Sequence, residues 1–73
     1  MMDYWIPTIL ALPEAINNYI VTIKLTSKTD PDFEAEYVAI GHYNGKGKWT
    51  EDKGKERKVI AWMPLPDVYL ERR

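Results

Sequence analysis

The stretch Val59-Ile60-Ala61-Trp62-Met63-Pro64-Leu65-Pro66 decides the fold, because it joins the longest apolar run of the chain to two closely spaced prolines. β-branched and aromatic side chains suit a pleated strand. Each proline fixes its own φ and disfavours a helical conformation in the residue before it. The stretch therefore predicts a last strand that ends near Met63 and continues into an extended tail. Trp62 either fills the core or belongs to an exposed proline-rich ligand.

Upstream, residues 19–26 (YIVTIKLT) alternate between apolar and polar side chains. Successive side chains of a strand point to opposite faces, so Tyr19, Val21 and Ile23 share one face with Leu25. A strand with one apolar and one polar face is typical of an antiparallel sheet. We expect this segment to be the most regular strand of the fold.

Residues 33–43 (FEAEYVAIGHY) predict a longer strand. Its apolar side changes partway along, because Val38 and Ile40 fall on the same side as the glutamates before them. Gly41 offers a place for a bulge or a sharp bend that would let the strand serve two layers. Such bent strands are a feature of small rolls and barrels.

Turn signals then order the strands. Asn44-Gly45 predicts a hairpin that returns through residues 48–50, and the charged residues 51–57 predict a solvated loop. The sequence thus predicts a mainly β fold, a small antiparallel meander or a partly closed roll, with an SH3-like barrel as the alternative. At most one short helical turn is expected, at residues 13–16, where proline and an acid favour a helix start.

The two ends of the chain are rich in proline. Pro7 and Pro13 bar a continuous helix, so residues 1–13 predict an extended arm that lays Trp5, Ile6, Ile9 and Leu10 on the sheet. Residues 64–73 predict a C-terminal tail. The whole chain, residues 1–73, is expected to form a single small β domain.

Length and composition limit the classes of function. The 73 residues include no cysteine, so no disulfide or thiolate zinc site stabilises this small domain, and a possible homodimer is the remaining route. A net charge of −1 gives no general attraction to nucleic acid or anionic lipid. No run approaches the roughly 20 apolar residues that cross a bilayer, and the start of the chain does not read as a signal peptide. We expect a cytoplasmic protein with no membrane partner.

Catalytic chemistry has little support in the residues. His42 is the only histidine, and the carboxylates on its own strand face lie roughly 20 Å or more away at ~3.3 Å per residue. The acids around Asp30 lack the spacing of a calcium loop. Gly45-Lys46-Gly47-Lys48 lacks the spacing of a phosphate loop, and no nucleophile elbow occurs. The sequence therefore predicts no catalytic residue, no metal site and no cofactor, and the protein is not expected to be an enzyme.

Two surfaces are candidates for binding. Aromatic and proline residues near the hairpin and the tail predict a partner-binding surface: Tyr43, Trp49, Trp62, Pro64, Leu65 and Pro66. Stacking side chains beside positive charge can also bind single-stranded nucleic acid. The basic residues of that alternative, in the predicted hairpin region 46–58, are Lys46, Lys48, Lys53, Lys55, Arg57 and Lys58.

Several short motifs occur along the chain in a recognisable order: Trp5-Ile6, Leu12-Pro13-Glu14, YIVTIK at 19–24, Ile40-Gly41-His42-Tyr43, Lys48-Trp49 and VIAWMPLP at 59–66. In these motifs the chain resembles the small bacteriophage and prophage proteins catalogued as domain of unknown function 551. It departs from them after Pro66, where Asp67-Val68 replaces the frequent Glu-Pro. The family's pattern carries no catalytic residues, so the resemblance implies none here.

The resemblance implies a phage or prophage accessory protein that acts in the bacterial host cytoplasm. Combined with the absence of catalytic groups, it predicts a non-enzymatic protein-interaction module whose partner is a host or phage protein. Nucleic acid is an unlikely partner at this net charge, but a weak nucleic-acid-binding protein remains one alternative hypothesis. A homo-oligomeric structural protein is the other.

Overall fold

The computed structural model describes residues 4–66, and in this range the chain forms one open, antiparallel, four-stranded sheet without a helix. The strands are β1 (Ile6–Pro7), β2 (Asn17–Thr26), β3 (Glu34–Tyr43) and β4 (Arg57–Pro64). Their order across the sheet is β1-β4-β2-β3. The predicted mainly β, antiparallel fold is confirmed, whereas the sheet does not close into the alternative SH3-like barrel.

The order of the strands is not that of the predicted meander. β4 pairs with β2, and the residues after the hairpin contribute only an isolated bridge between Tyr43 and Trp49. β2 takes the centre because its core face is the most apolar: Val21 and Ile23 are 0% and 1% exposed. A central strand is paired on both edges, so residues 44–56 must pass over β2 to connect β3 with β4.

The core lies on one side of the sheet. Tyr19 sits at its centre, with its ring 5.2 Å from Trp62 and 5.9 Å from Trp49 in edge-to-face arrangements. Such pairs contribute roughly 0.5–1.5 kcal/mol beyond the area they bury. The buried hydrophobic residues are Tyr19, Val21, Ile23, Tyr43, Trp49, Val59 and Trp62.

β3 keeps one apolar side along its whole length, so the predicted change of side is wrong. Its register against β2 is continuous from Glu34 to Tyr43, with no bulge at Gly41. Gly41 is needed for space instead, because a Cβ there would lie 2.9 Å from Cγ2 of Val21. Val38 and Ile40 therefore remain on the face away from the core, where they are 62% and 57% exposed.

The irregularity of the sheet lies in β4. Thr22 pairs with Ala61 but Ile23 pairs with Val59, so Ile60 is an extra residue on β4. An extra residue reverses the alternation of side chains beyond it. For this reason Val59 and Trp62 both face the core although they are three residues apart.

The N-terminal arm follows the outer edge of β4 at β1 and Thr8 and then reaches the core side, where the Ala11 carbonyl accepts from the Trp62 Nε1 at 2.9 Å. Ile6 packs against the core, but Ile9 and Leu10 are 93% and 76% exposed, which corrects their predicted burial. The Thr8 amide donates to the Ile60 carbonyl at 2.9 Å. Bends replace the helical turn predicted at residues 13–16. The predictions for residues 1–3 and 67–73 lie outside the described residues.

Candidate functional site

The predicted partner-binding surface is mostly core. Tyr43, Trp49 and Trp62 are 4%, 5% and 9% exposed, because the crossing connection and the arm cover them. Three such rings cannot offer an accessible patch to another protein. The sequence-based assignment of these residues to a binding surface is therefore corrected.

The proline-rich end of the predicted surface is accessible. Pro64 is the last residue of β4, and Leu65 and Pro66 follow it without regular structure. All three are exposed, and Leu65 is 39% exposed. The aromatic residues expected beside them, Tyr43, Trp49 and Trp62, are buried in the core and do not extend this exposed surface.

The predicted basic region is not one hairpin. Lys46 and Lys48 lie in the turn after β3, near the start of β2, whereas Lys53 bridges to Arg57 opposite Leu25. The two groups lie at different turns, and the five-residue step from Lys48 to Lys53 limits the distance between their Cα atoms to roughly 18 Å. Lys55 and Lys58 belong to the second group, and the Arg57 Nε donates to the Glu51 carbonyl at 2.7 Å. The six basic residues are therefore divided between two groups and do not belong to the single hairpin that the sequence predicts.

One edge of the sheet presents backbone groups without partners among residues 4–66. The His42 amide donates to the Glu51 carboxylate at 3.0 Å, and the His42 carbonyl accepts from the Thr50 amide at 2.9 Å. Both of these bonds point away from β2, and backbone direction alternates along an antiparallel pair. The N–H and C=O groups of Glu36, Val38 and Ile40 therefore point outward as well. We call Glu34–Ile40 of β3 the free edge.

The opposite edge of the sheet, at β4 and β1, is covered by hydrogen bonds from the rest of the chain. Arg57 of β4 exchanges backbone hydrogen bonds with Lys53, at 2.8 and 3.3 Å. The next outward amide, that of Val59, donates to the Asp52 carboxylate at 2.9 Å. The Thr8 hydroxyl donates to the Val59 or Ile60 carbonyl, and β1 pairs with the end of β4. β1 itself offers only two residues, one of them a proline. The contrast makes the free edge of β3 the main accessible edge of the described sheet.

The face opposite the core is largely apolar and has no covering element in the described part of the chain. Register places its side chains in rows of three across β3, β2 and β4. We call these six residues the open face: Ile40, Ile20 and Met63 in one row, and Val38, Thr22 and Ala61 in the next.

A charged row borders the open face. Glu36, Lys24 and Lys58 lie side by side on β3, β2 and β4. The Lys24 Nζ lies 2.7 Å from the Glu34 carboxylate, and hydrogen bonding to that carboxylate raises the pKa of Lys24. Glu36 and Lys58, at the two outer positions of the row, are exposed.

A cleft lies between the arm and the crossing connection. It has a volume of about 260 Å³ and is lined by Thr8, Leu12, Trp49 and Val59 among others. The Trp49 Nε1 is buried and has no hydrogen-bond partner among residues 4–66. An unsatisfied buried donor costs stability unless an acceptor reaches it. Nothing else about the cleft indicates a particular ligand.

The only histidine, His42, lies on β3 within hydrogen-bond distance of a side chain of β2. The His42 Nδ1 lies 2.9 Å from the Asn18 Oδ1 at an exposed position of the sheet. Among residues 4–66 there is no group of three His, Cys, Asp or Glu side chains that could hold a metal ion. In the same range no helix is long and apolar enough to cross a membrane.

Sequence reasoning missed the free edge and the open face. The sequence contains a signal for the open face, because Val38 and Ile40 share a strand side with acids, but the same pattern also predicts a change of the buried face. The free edge had no signal, since it depends on which strand β4 joins.

Comparisons with known proteins give one match. A family model described as a protein of unknown function (DUF551) matches residues 4–68. Neither a curated protein nor a solved structure matches the chain.

Proposed function

Because the chain belongs to the DUF551 family, whose description assigns no function, we propose a function from its geometry: it is a non-enzymatic protein-interaction module that takes an extended segment of its partner as an additional strand at the free edge. Strand addition is a common mode of peptide recognition, in which backbone hydrogen bonds supply affinity and alternate side chains supply specificity.

The observation that supports this proposal is the difference in backbone hydrogen bonding between the two edges of the sheet. β4 is covered by hydrogen bonds from Lys53, Asp52 and Thr8, whereas the outward groups of Glu36, Val38 and Ile40 meet no partner among residues 4–66. An uncovered edge exposes a protein to unwanted pairing and is normally blocked. An edge left open for this length is therefore best explained by a partner strand.

The side chains at the free edge define the partner segment. Val38 and Ile40 project to one side of the sheet, and Tyr37 projects to the other and is 40% exposed. We expect an extended segment with apolar residues beside Val38 and Ile40. Following the resemblance described above, we propose that the partner is a host or phage protein and that binding occurs in the bacterial cytoplasm.

The test removes one outward backbone donor. Val38→Pro deletes the outward N–H and leaves the β2–β3 ladder intact, since proline is tolerated where the N–H of an edge strand faces solvent. Val38→Ala shortens the same side chain but keeps the N–H. The two variants and the parent protein are immobilised and exposed to lysate of a bacterial host, with and without nuclease treatment. The recovered proteins are compared by mass spectrometry and by the affinity of each for the three immobilised proteins.

We expect a recovered partner to bind the alanine variant within about threefold of the parent and the proline variant at least about tenfold more weakly, the loss of one or two hydrogen bonds. Circular dichroism checks that both variants fold. Equal binding by the proline variant would refute strand addition. Recovery that requires nucleic acid would favour the basic residues around 53–58 instead.

A further inference from the structure

We propose that the open face binds a second copy of this chain, with a two-fold axis that runs along β2 and brings the two sheets together face to face. The open face shares Val38 and Ile40 with the free edge, but dimerisation uses side chains that project from the sheet, while strand addition uses backbone groups that lie in its plane. Dimerisation and strand addition can therefore occur together.

The first argument is the pattern of rows on this face. Ile40, Ile20 and Met63 form one apolar row, and the charged row of Glu36, Lys24 and Lys58 lies two rows away along the strands. A two-fold axis along β2 keeps each row level with the same row of the second copy. Apolar side chains then meet apolar side chains, and charged side chains meet charged ones.

The second argument is the sign of the charges. The same axis exchanges left and right, so β3 of one copy faces β4 of the other. Glu36 then faces Lys58 of the second copy, and Lys58 faces its Glu36. The two outer positions of the charged row have opposite signs, so they are complementary in this orientation. At the centre of the row Lys24 faces Lys24 of the second copy, and each keeps its own ion pair with Glu34.

A second two-fold axis, parallel to the two faces but running across the strands, does not match the rows or the charges. An axis across the strands reverses the order of the rows and places Glu36 against the Ile40 row. A carboxylate would then be desolvated against apolar side chains without a partner, which costs several kcal/mol per ion. Charge and hydrophobicity therefore both select the axis along β2.

The area sets the expected strength. The three rows extend across three strands at ~4.8 Å spacing and along about six residues at ~3.3 Å, which gives a flat footprint of roughly 300 Å² for each copy. A standard interface buries about 800 Å² on each partner. Because the footprint is well below this size, we expect a weak, concentration-dependent dimer with a dissociation constant on the order of 100 μM rather than an obligate one.

The experiment exchanges the charges. Glu36→Lys places Lys against Lys58 in its own dimer, and Lys58→Glu places Glu against Glu36. Each variant alone should dimerise about tenfold or more weakly than the parent, because like charges oppose across the interface. An equimolar mixture of the two variants should recover dimerisation as a mixed dimer, in which residues 36 and 58 carry opposite signs in both facing pairs. Sedimentation equilibrium measures all three samples.

Two outcomes would overturn the proposal. The first is a parent protein that remains monomeric at about 1 mM, well above the expected dissociation constant. The second is a dimer that neither single exchange weakens. The failure of dimerisation would leave strand addition standing, because the comparison of the two Val38 variants tests the free edge in separate samples.

Discussion

Two buried tryptophans differ in what their indole N–H groups bind. The Trp62 Nε1 donates to the Ala11 carbonyl at 2.9 Å, which ties the arm to β4. The Trp49 Nε1 is buried without a partner in residues 4–66. Both rings are less than a tenth exposed, so the two sites offer a comparison in which ring burial is similar and hydrogen bonding is not.

We predict that Trp62→Phe destabilises the protein by about 1 kcal/mol more than Trp49→Phe. Phenylalanine keeps most of the apolar contact at both sites, but at residue 62 it also removes the hydrogen bond to the Ala11 carbonyl. Urea denaturation followed by circular dichroism measures both free energies of unfolding. Equal losses would show that the bond to Ala11 does not stabilise the fold.

At the level of single residues, the sequence identified the important aromatic side chains but not their location. Tyr43, Trp49 and Trp62 have both an apolar ring and a polar tip, so the same residue types suit a core and a binding surface. Burial is decided by residues distant in sequence. Residues 44–56 cross over β2, and no local sequence pattern predicts that crossing.

Secondary structure elements were easier to predict than their pairing. The strands predicted at 19–26 and 33–43 correspond to β2 (Asn17–Thr26) and β3 (Glu34–Tyr43), because alternation is a local property. The partner of β4 is not local. β4 pairs with β2, which is distant in sequence, and the extra residue at Ile60 places both Val59 and Trp62 on the core face of the sheet.

The crossing connection also completes the hydrogen bonding of the sheet through a side chain. The Asp52 carboxylate accepts from the outward amide of Val59 at 2.9 Å. We predict that Asp52→Ala lowers the free energy of unfolding by about 1 kcal/mol. Asp52→Asn keeps an acceptor oxygen at the same place and should lose less than half as much.

Thermal and urea denaturation of the two Asp52 variants beside the parent give these values. The comparison distinguishes stabilisation by the hydrogen bond to the Val59 amide from stabilisation by the negative charge of Asp52 alone. If asparagine costs as much as alanine, the charge is what matters, and the bond to Val59 does not explain the position of Asp52.

For the whole molecule, a single sheet with a core on one side has a direct consequence. Residues 4–66 cover one face with the connection and the edge of β4 with the arm, and there is no further element in this range to cover the second face or the β3 edge. A small domain hides a modest fraction of its surface. Stability and binding therefore depend on the same uncovered surfaces, which is why both proposals concern β3.

Amide hydrogen exchange tests this arrangement across all strands at once. We predict the slowest exchange in β2, which is paired on both edges, with Val21 and Ile23 near the limit set by global unfolding. In β3 the rates should alternate. The amides of Ala35, Tyr37 and Ala39 point toward β2 and should be protected, whereas the amides of Glu36, Val38 and Ile40 should exchange quickly.

The alternation of exchange rates in β3 distinguishes a face-to-face dimer from a partner strand at the free edge, because a face-to-face dimer leaves the β3 edge unpaired. Fast exchange at Val38 and Ile40 should therefore persist at concentrations where the dimer forms, and a bound partner strand should slow it. Protection of these two amides in the isolated protein at low concentration would show that another part of the chain already covers the edge. That result would contradict strand addition at β3 without affecting the assignment of the open face.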